Sequence, residues 1–383
     1  MDDKSVCLMT QEYRRGATWI YCYNLAKEYN KEKEWKAHVI SALKKNQAEV
    51  SSELDTLKLI RTSSSKYFYS KNYWKKSRAL INQINPTIVH GNMNMLSTLG
   101  IKEDYPIVET IHTTFSREKM GTIGMPFQSL TWVEKRVVLL YKLLKKKETQ
   151  LLKRAKHLIA VSDAIKQELI EKYSIDSDKI TTIPNGVDID THYKTDEKIY
   201  DKKKDEFILG FLGRMTIGKG TKLLLPILKK VKKEIPNVKL LTAGDDLNTK
   251  GEIIQLIQDY GLSKNIIDFG YIYDIQKKNS FFSSLDIFLL PSSHEGMNLT
   301  LLEALACQTP VLTTNEAITF EHNNTFITTT RNVKDIVDKI IELYNSQDTL
   351  DKIRSKSRPV AEKYTWKNTT MLTKRVYENI LTN

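Results

Sequence analysis

Two carboxylates, Glu295 and Glu303, stand eight residues apart around the stretch Ser292-Ser293-His294-Glu295-Gly296-Met297-Asn298-Leu299-Thr300-Leu301-Leu302-Glu303-Ala304. An apolar run, Ile287 to Leu290, precedes it and ends at Pro291. That order predicts a buried strand, a polar loop and a helix beginning near Asn298, which can cap it. The first amides of a helix have no acceptor within the helix, and its dipole adds positive character there. The loop is therefore built to meet an anion, with one acid in the loop and a second inside the helix.

A second constellation lies earlier, at Gly213-Arg214-Met215-Thr216-Ile217-Gly218-Lys219-Gly220, after the buried run Phe207–Leu212. Two cations among glycines at a strand-to-helix turn suit a diphosphate: arginine grips it as a fork and lysine as a point charge. The order is not that of a Walker A loop, nor G-x-G-x-x-G at its proper spacing. A third loop, Thr10 to Thr18, follows the strand-like Val6–Met9 and contains Gly16, which would let backbone approach a phosphate.

The elements that must hold these loops alternate as strand and helix in both halves, the pattern of α/β domains with parallel sheets. Expected strands in the first half are Val6–Met9, Ala37–Ser41, Thr87–Gly91, Ile107–Thr114 and Leu158–Ser162, followed by a strand and turn over Thr181–Asp188. Those in the second half are Phe207–Gly213, Val238–Asp245, Ile266–Tyr271, Leu285–Leu290 and Val311–Thr314. Ligands of such sheets bind at the carboxyl ends of the strands. His90 and His112 both fall there, and His112, after a clean apolar strand, is the better candidate. Ser63 to Asn85 reads as partly helical and carries Lys66, Tyr67, Tyr69, Lys71, Tyr73, Trp74, Lys75 and Lys76. The polar run Tyr193–Glu206 reads as a linker.

The 383 residues are too many for one ordinary domain and suit two. With 40% hydrophobic and 27% charged residues, the composition is that of a globular protein. No stretch approaches a bilayer-spanning length, and Met1-Asp2-Asp3-Lys4 is not the opening of a secretory signal. The three cysteines, Cys7, Cys22 and Cys307, are too scattered for a disulfide framework or a metal site and read as reduced thiols. A cytoplasmic chain is expected. The net charge of +13 requires something negative nearby. Leu130 to Lys156 reads as a long helix with Val133, Val137, Leu140, Tyr141 and Leu144 on one face and Lys135, Lys142, Lys145 and Lys146 opposite. That face is either a solvated surface or a contact for an anionic membrane or acceptor. No nucleic-acid-binding module is present in the pattern.

Taken together, Glu295-x7-Glu303 within Pro291-Ser-Ser-His-Glu-Gly, Gly213-Arg214 with Lys219-Gly220, Pro184-Asn185-Gly186-Val187-Asp188 and Ala160-Val161-Ser162 resemble a family 4 glycosyltransferase of the GT-B fold. The resemblance covers nearly the whole chain. It implies two Rossmann-like domains facing across a cleft: residues 1–195 on the acceptor side, 205–360 binding a nucleotide sugar, and 361–383 as a helix crossing back to the first domain. It implies that Arg214 and Lys219 hold the donor's diphosphate, that Gly296 and the amides of Met297, Asn298 and Leu299 complete the cradle, and that Glu303 takes the ribose hydroxyls. Glu295 would contact the transferred sugar, with His112 near it and Gly16 near the diphosphate. The family often carries paired glycines in that last loop, where this chain has Arg15-Gly16-Ala17.

The activity so implied is transfer of a hexose, with retention and without a metal, onto a hydroxyl of a cell-surface glycan or lipid-linked acceptor. A UDP-sugar is the expected donor, GDP- and ADP-sugars are the alternatives, and no cofactor is expected. A peripheral place at the inner membrane face is consistent with this. A GT-B nucleotide-sugar epimerase and a non-catalytic sugar-binding protein are the competing readings. Asp188-Ile189-Asp190 imitates a metal-binding D-x-D, and a solvated turn is the simpler reading.

Overall fold

A computed structural model describes residues 4–10, 13–14, 16–32, 34–44, 54–62, 71–93, 97–101, 104–123, 126–130, 132–244, 251–320 and 325–382. The expectations placed on Arg15, Lys66, Tyr67, Tyr69, Asp245 and the side chains of Lys71 and Val133 lie outside the described residues. The chain divides into two compact units: Met1–Met120 with Trp132–Gly186 and Trp366–Asn383, and Gly121–Thr131 with Val187–Thr365.

The first unit is built on strands β1 (Lys4–Thr10), β2 (Trp35–Lys44), β3 (Leu57–Thr62), β4 (Ile88–Met93), β5 (Ile107–Ile111), β6 (His157–Ala160) and β7 (Ile180–Thr182). They form one parallel sheet in the order β3-β2-β1-β4-β5-β6-β7. Its helices are α1 (Gly16–Tyr29), α2 (Lys71–Ile84), α3 (Phe115–Met120), α4 (Trp132–Arg154) and α5 (Asp163–Tyr173). Val6, Cys7, Leu8 and Met9 are all fully buried, because a parallel sheet is covered on both faces and its central strands read as unbroken apolar runs.

The second unit holds β8 (Phe207–Gly213), α6 (Thr221–Glu234), β9 (Val238–Gly244), α7 (Gly251–Asp259), β10 (Ile266–Asp268), α8 (Ile275–Ser283), β11 (Ile287–Leu290) and α9 (Leu299–Ala306). It continues with β12 (Val311–Thr314), β13 (Ile327–Thr329), α10 (Val333–Tyr344) and α11 (Gln347–Ala361). Its parallel sheet runs β10-β9-β8-β11-β12-β13. Leu209, Phe211, Leu224, Leu228, Val231, Leu289 and Ile340 belong to the core of this unit. The last helix, α12 (Trp366–Thr382), belongs to the first unit. There Tyr377 stacks on Tyr29 at 6.0 Å, and Thr369 donates to the Pro184 carbonyl at 2.9 Å.

Strand order reverses once in each sheet, between β1 and β4 and between β8 and β11. A crevice opens at the carboxyl ends of strands at such a reversal. Both anion-seeking loops, 214–220 and 291–298, leave the two strands that flank the second reversal.

Several expectations are corrected. The long helix is shorter at both ends, Trp132–Arg154 rather than Leu130–Lys156. Strand β3 was not foreseen, because Lys58 and Arg61 interrupt its apolar pattern; it is a half-exposed edge strand. The run Tyr193–Glu206 is no loose linker. Thr195 N–H donates to Ser283 Oγ at 3.0 Å and Ile199 N–H to Ser284 Oγ at 3.1 Å, while Arg358 binds the carbonyls of His192 and Ile189. The run is thereby tied along the second unit, whose longer segment begins at Val187. The simpler reading of the D-x-D pair holds, since Asp188 accepts from the N–H groups of Asp190 and Thr191 in a turn. All three cysteines are buried and unpaired with one another. Among the described residues, no helix is long and apolar enough to cross a membrane.

Candidate functional site

The turn after β8 folds on itself through Lys219 N–H to the Thr216 carbonyl at 3.2 Å and Thr221 Oγ to the same carbonyl at 3.0 Å. Gly220 takes φ of 77°, and a Cβ there would stand 2.1 Å from the Pro291 carbonyl oxygen. Only glycine lets this turn lie against the loop that follows β11. Ser293 N–H donates to the Gly218 carbonyl at 2.8 Å and completes the join. Arg331, in the connection after β13, then bridges both loops: Nε donates to the Pro291 carbonyl at 3.2 Å and Nη2 to the Ile217 carbonyl at 3.1 Å. Sequence reasoning missed Arg331, which lies far from either motif and carries no pattern of its own.

Arg214 is exposed at the start of the turn, whereas Glu295 is buried and receives Lys219 Nζ at 2.8 and 2.7 Å on its two oxygens. Burial alone would raise the Glu295 pKa, but the Lys219 charge and hydrogen bonds outweigh it, and the carboxyl lies below its ordinary range. Lys219 and Glu295, foreseen as contacts to different parts of one ligand, are thus partners of each other. Two N–H groups of the ammonium satisfy the carboxylate, and an ammonium has a third to give.

The helix foreseen after Gly296 is α9, capped by Asn298 Oδ1, which accepts from Leu301 N–H at 3.0 Å. The positive end of its dipole therefore sits beside Glu295 and Lys219. Glu303 lies on the same helix and is buried. Its Oε1 accepts from Lys278 Nζ at 2.9 Å and lies 3.6 Å from His192 Nε2. Its Oε2 is buried without a hydrogen-bond partner. Lys278, on α8, and His192, in the turn after Asp188, were not foreseen either, since neither belongs to a motif.

In the first unit, His112 follows β5 and its Nε2–H donates to Asn92 Oδ1 at 3.0 Å. Its ring meets Tyr21 edge-on at 5.0 Å between centroids, and Nδ1 is buried without a partner. Burial pushes its pKa down to about 3, so the ring is neutral and Nδ1 is an acceptor. His90, the other histidine placed at a strand end, is wholly buried between Tyr377 and Thr110 and serves packing. Gly16 opens α1 with φ of 76°. The loop that carries His112 is pinned from below: Glu148 accepts from Phe115 N–H at 3.1 Å and from the Tyr173 hydroxyl, and Glu168 accepts from Thr114 Oγ and from Arg117 Nε.

Residues 193–360 match the family described as Glycosyl transferases group 1, and residues 18–191 match Glycosyltransferase Family 4. The chain belongs to the family 4 glycosyltransferases.

Solved structures of GT-B glycosyltransferases share its fold. Sucrose-phosphate synthase from Thermosynechococcus elongatus superposes with a TM-score of 0.81 over 99% of both chains at 16% identity. Anabaena HepE, determined with UDP and glucose, gives 0.70 over 99% of both chains at 16% identity. Among curated relatives, the capsular polysaccharide biosynthesis glycosyltransferase CapM of Staphylococcus aureus is 29% identical over 220 residues, 54% of this chain and 57% of the relative. The chain spans just under three fifths of the length of the first curated relatives it matches. As a GT-B protein of this family it carries two parallel-sheet, Rossmann-like units, the second of which brings Arg214, Lys219, Glu295, Gly296, Met297, Asn298 and Leu299 to one switch point.

Proposed function

We propose that the protein transfers a hexose, with retention, from a nucleotide-diphosphate sugar to a hydroxyl of a cell-surface glycan or glycolipid. The observation that carries this is the meeting of Lys219, Glu295 and the start of α9 at the carboxyl ends of β8 and β11. UDP is the nucleotide we favour. The support is the relation to CapM, a capsular polysaccharide enzyme, and the fold shared with HepE, determined with UDP and glucose.

In this reading the diphosphate binds Arg214, Lys219 and the first amides of α9. As the bond from the anomeric carbon to the phosphate oxygen breaks, negative charge grows on the leaving phosphate and these groups stabilise it in place of a metal. The acceptor hydroxyl attacks on the same face, its oxygen bonds the anomeric carbon, and its proton passes to the leaving phosphate oxygen. Glu295 accepts a sugar hydroxyl. Glu303 accepts from the ribose.

A membrane-bound acceptor is favoured by one stripe of α4. Leu139 is 70% exposed and Leu143 49% exposed, and Lys142 and Lys146 are exposed on the same stripe. The expected apolar face turns inward only partly, with Val137 buried and Leu140, Tyr141 and Leu144 half-buried. Apolar side chains between lysines suit an anionic lipid surface. Vesicle flotation tests this: binding that needs anionic lipid and falls in Leu139→Asp supports it, and equal indifference to neutral and anionic vesicles removes it.

A thermal-shift screen of UDP-, GDP- and ADP-sugars tests the donor assignment, since a bound ligand raises apparent stability by mass action. A rise with a UDP-sugar is expected. No rise with any of the three would overturn the reading.

A further inference from the structure

The group around Glu303 contains more than a single carboxylate. Lys278 projects from α8, whose start is capped by Asp274 accepting from Lys277 N–H at 2.8 Å. Its ammonium donates to Glu303 Oε1 at 2.9 Å, with 16% of the lysine side chain and 6% of the glutamate side chain exposed. On the other side, the His192 ring is fixed by Nδ1–H donating to the Asp188 carbonyl at 3.1 Å. Its Nε2 lies 3.6 Å from Glu303 Oε1. Two polar atoms of this group, Glu303 Oε2 and His192 Nε2, are buried without hydrogen-bond partners. Such atoms cost stability unless something satisfies them, and both are acceptors while the ring is neutral. A ligand that fits must bring hydroxyl donors, and it must have oxygen lone pairs for the remaining N–H groups of Lys278. A sugar diol has both.

We propose that Lys278 is a specificity-determining donor-binding residue: with Glu303 it clamps a ribose hydroxyl, the carboxylate accepting the hydroxyl proton and the ammonium donating to the same hydroxyl's oxygen. This rests on the reading of Glu303 as the ribose acceptor. A hydroxyl that donates and accepts at charged groups forms two strong hydrogen bonds at once. A lysine paired with glutamate only for packing would make no distinction between ribose and deoxyribose.

The experiment is calorimetric binding to the full chain of UDP, GDP and ADP, whichever binds best, beside its 2′-deoxy and 3′-deoxy counterparts. The proteins are the parent, Lys278→Met, Lys278→Gln and Glu303→Gln. Because Lys278→Met leaves a buried carboxylate unpaired, Lys278→Gln, which keeps an N–H donor, guards against misfolding, and each Tm is recorded without nucleotide. Lys278→Met is expected to weaken the ribonucleotide by about tenfold or more. It should weaken the deoxy counterpart that lacks the clamped hydroxyl by less than about threefold, with Lys278→Gln between. Equal weakening of ribo and both deoxy forms, or none, overturns the clamp. If Glu303→Gln leaves the ribonucleotide unaffected, or if no nucleotide binds the parent, the underlying assignment of Glu303 fails and the clamp with it. A Glu303→Gln loss without a Lys278 effect sinks the clamp alone.

Discussion

Lys219 and Glu295 stand 76 positions apart in sequence, yet the ammonium of one meets both carboxylate oxygens of the other at 2.8 and 2.7 Å. The pair joins the turn after β8 to the loop before α9. A buried carboxylate held ionised by one lysine keeps that lysine ordered beside the start of α9. Removing one member strands the other, so single substitutions confound binding with folding.

Lys219→Ala and Arg214→Ala are each expected to lower kcat by ~10²–10³, the usual effect of losing one donor to developing negative charge. Lys219→Ala should also lower Tm, because Glu295 is left buried and unpaired. Lys219→Ala with Glu295→Gln should restore much of the Tm but none of the turnover. Steady-state rates near those of the parent in both single variants would remove the diphosphate assignment.

Arg331 bridges the Pro291 and Ile217 carbonyls and so sets the spacing of the two loops. Arg331→Met is expected to raise the donor KM about tenfold, equivalent to ~1.4 kcal/mol. Arg331→Lys should rescue it only in part, since a point charge cannot reach both carbonyls as a fork does. An unchanged KM in Arg331→Met would show that the loops hold their spacing without it.

Burial pushes the Glu148 carboxyl up to about 8, the largest cause, against the Tyr173 and Phe115 hydrogen bonds. Between the ordinary carboxylate range and pH 8 the folded chain holds a proton that the unfolded chain releases. Unfolding then frees a proton, and this group's contribution to stability falls as pH rises, by at most ~1.4 kcal/mol per pH unit. The Tm of Glu148→Gln is therefore expected to fall less steeply than that of the parent from pH 5 to pH 8. Glu109, raised to about 7 by burial, titrates in both proteins and cancels in the comparison. Parallel Tm curves would show that Glu148 is ionised in the folded chain.

If Arg214, Lys219 and the start of α9 carry the phosphate charge, chelation of divalent metal should cost little. Turnover in excess EDTA is expected to stay within about twofold of the untreated rate, because preorganised donors supply the charge stabilisation. A loss that added magnesium or manganese restores would place a metal at the diphosphate.

Much of this was legible in the residues because the local pattern is strong. Unbroken apolar runs such as Phe207–Leu212 mark central parallel strands, and Asn298 marks the start of α9. The edge strand β3 was not legible, since a half-exposed strand with Lys58 and Arg61 loses the apolar signal. The candidate site was legible where a motif is contiguous, as at Glu295 and Glu303. It was not legible where a distant side chain acts on backbone or on another side chain, as Arg331, Lys278 and His192 do. Nor did the residues foretell that Lys219 and Glu295 would pair, because that depends on the approach Gly220 permits to Pro291.

The most direct measurement is a structure of the chain with UDP bound. The β-phosphate is expected within hydrogen-bond reach of Lys219 Nζ and the first amides of α9, with ribose hydroxyls on Glu303. Density for the nucleotide away from the carboxyl ends of β8 and β11, with Lys219 and Glu295 still paired only to each other, would contradict the account.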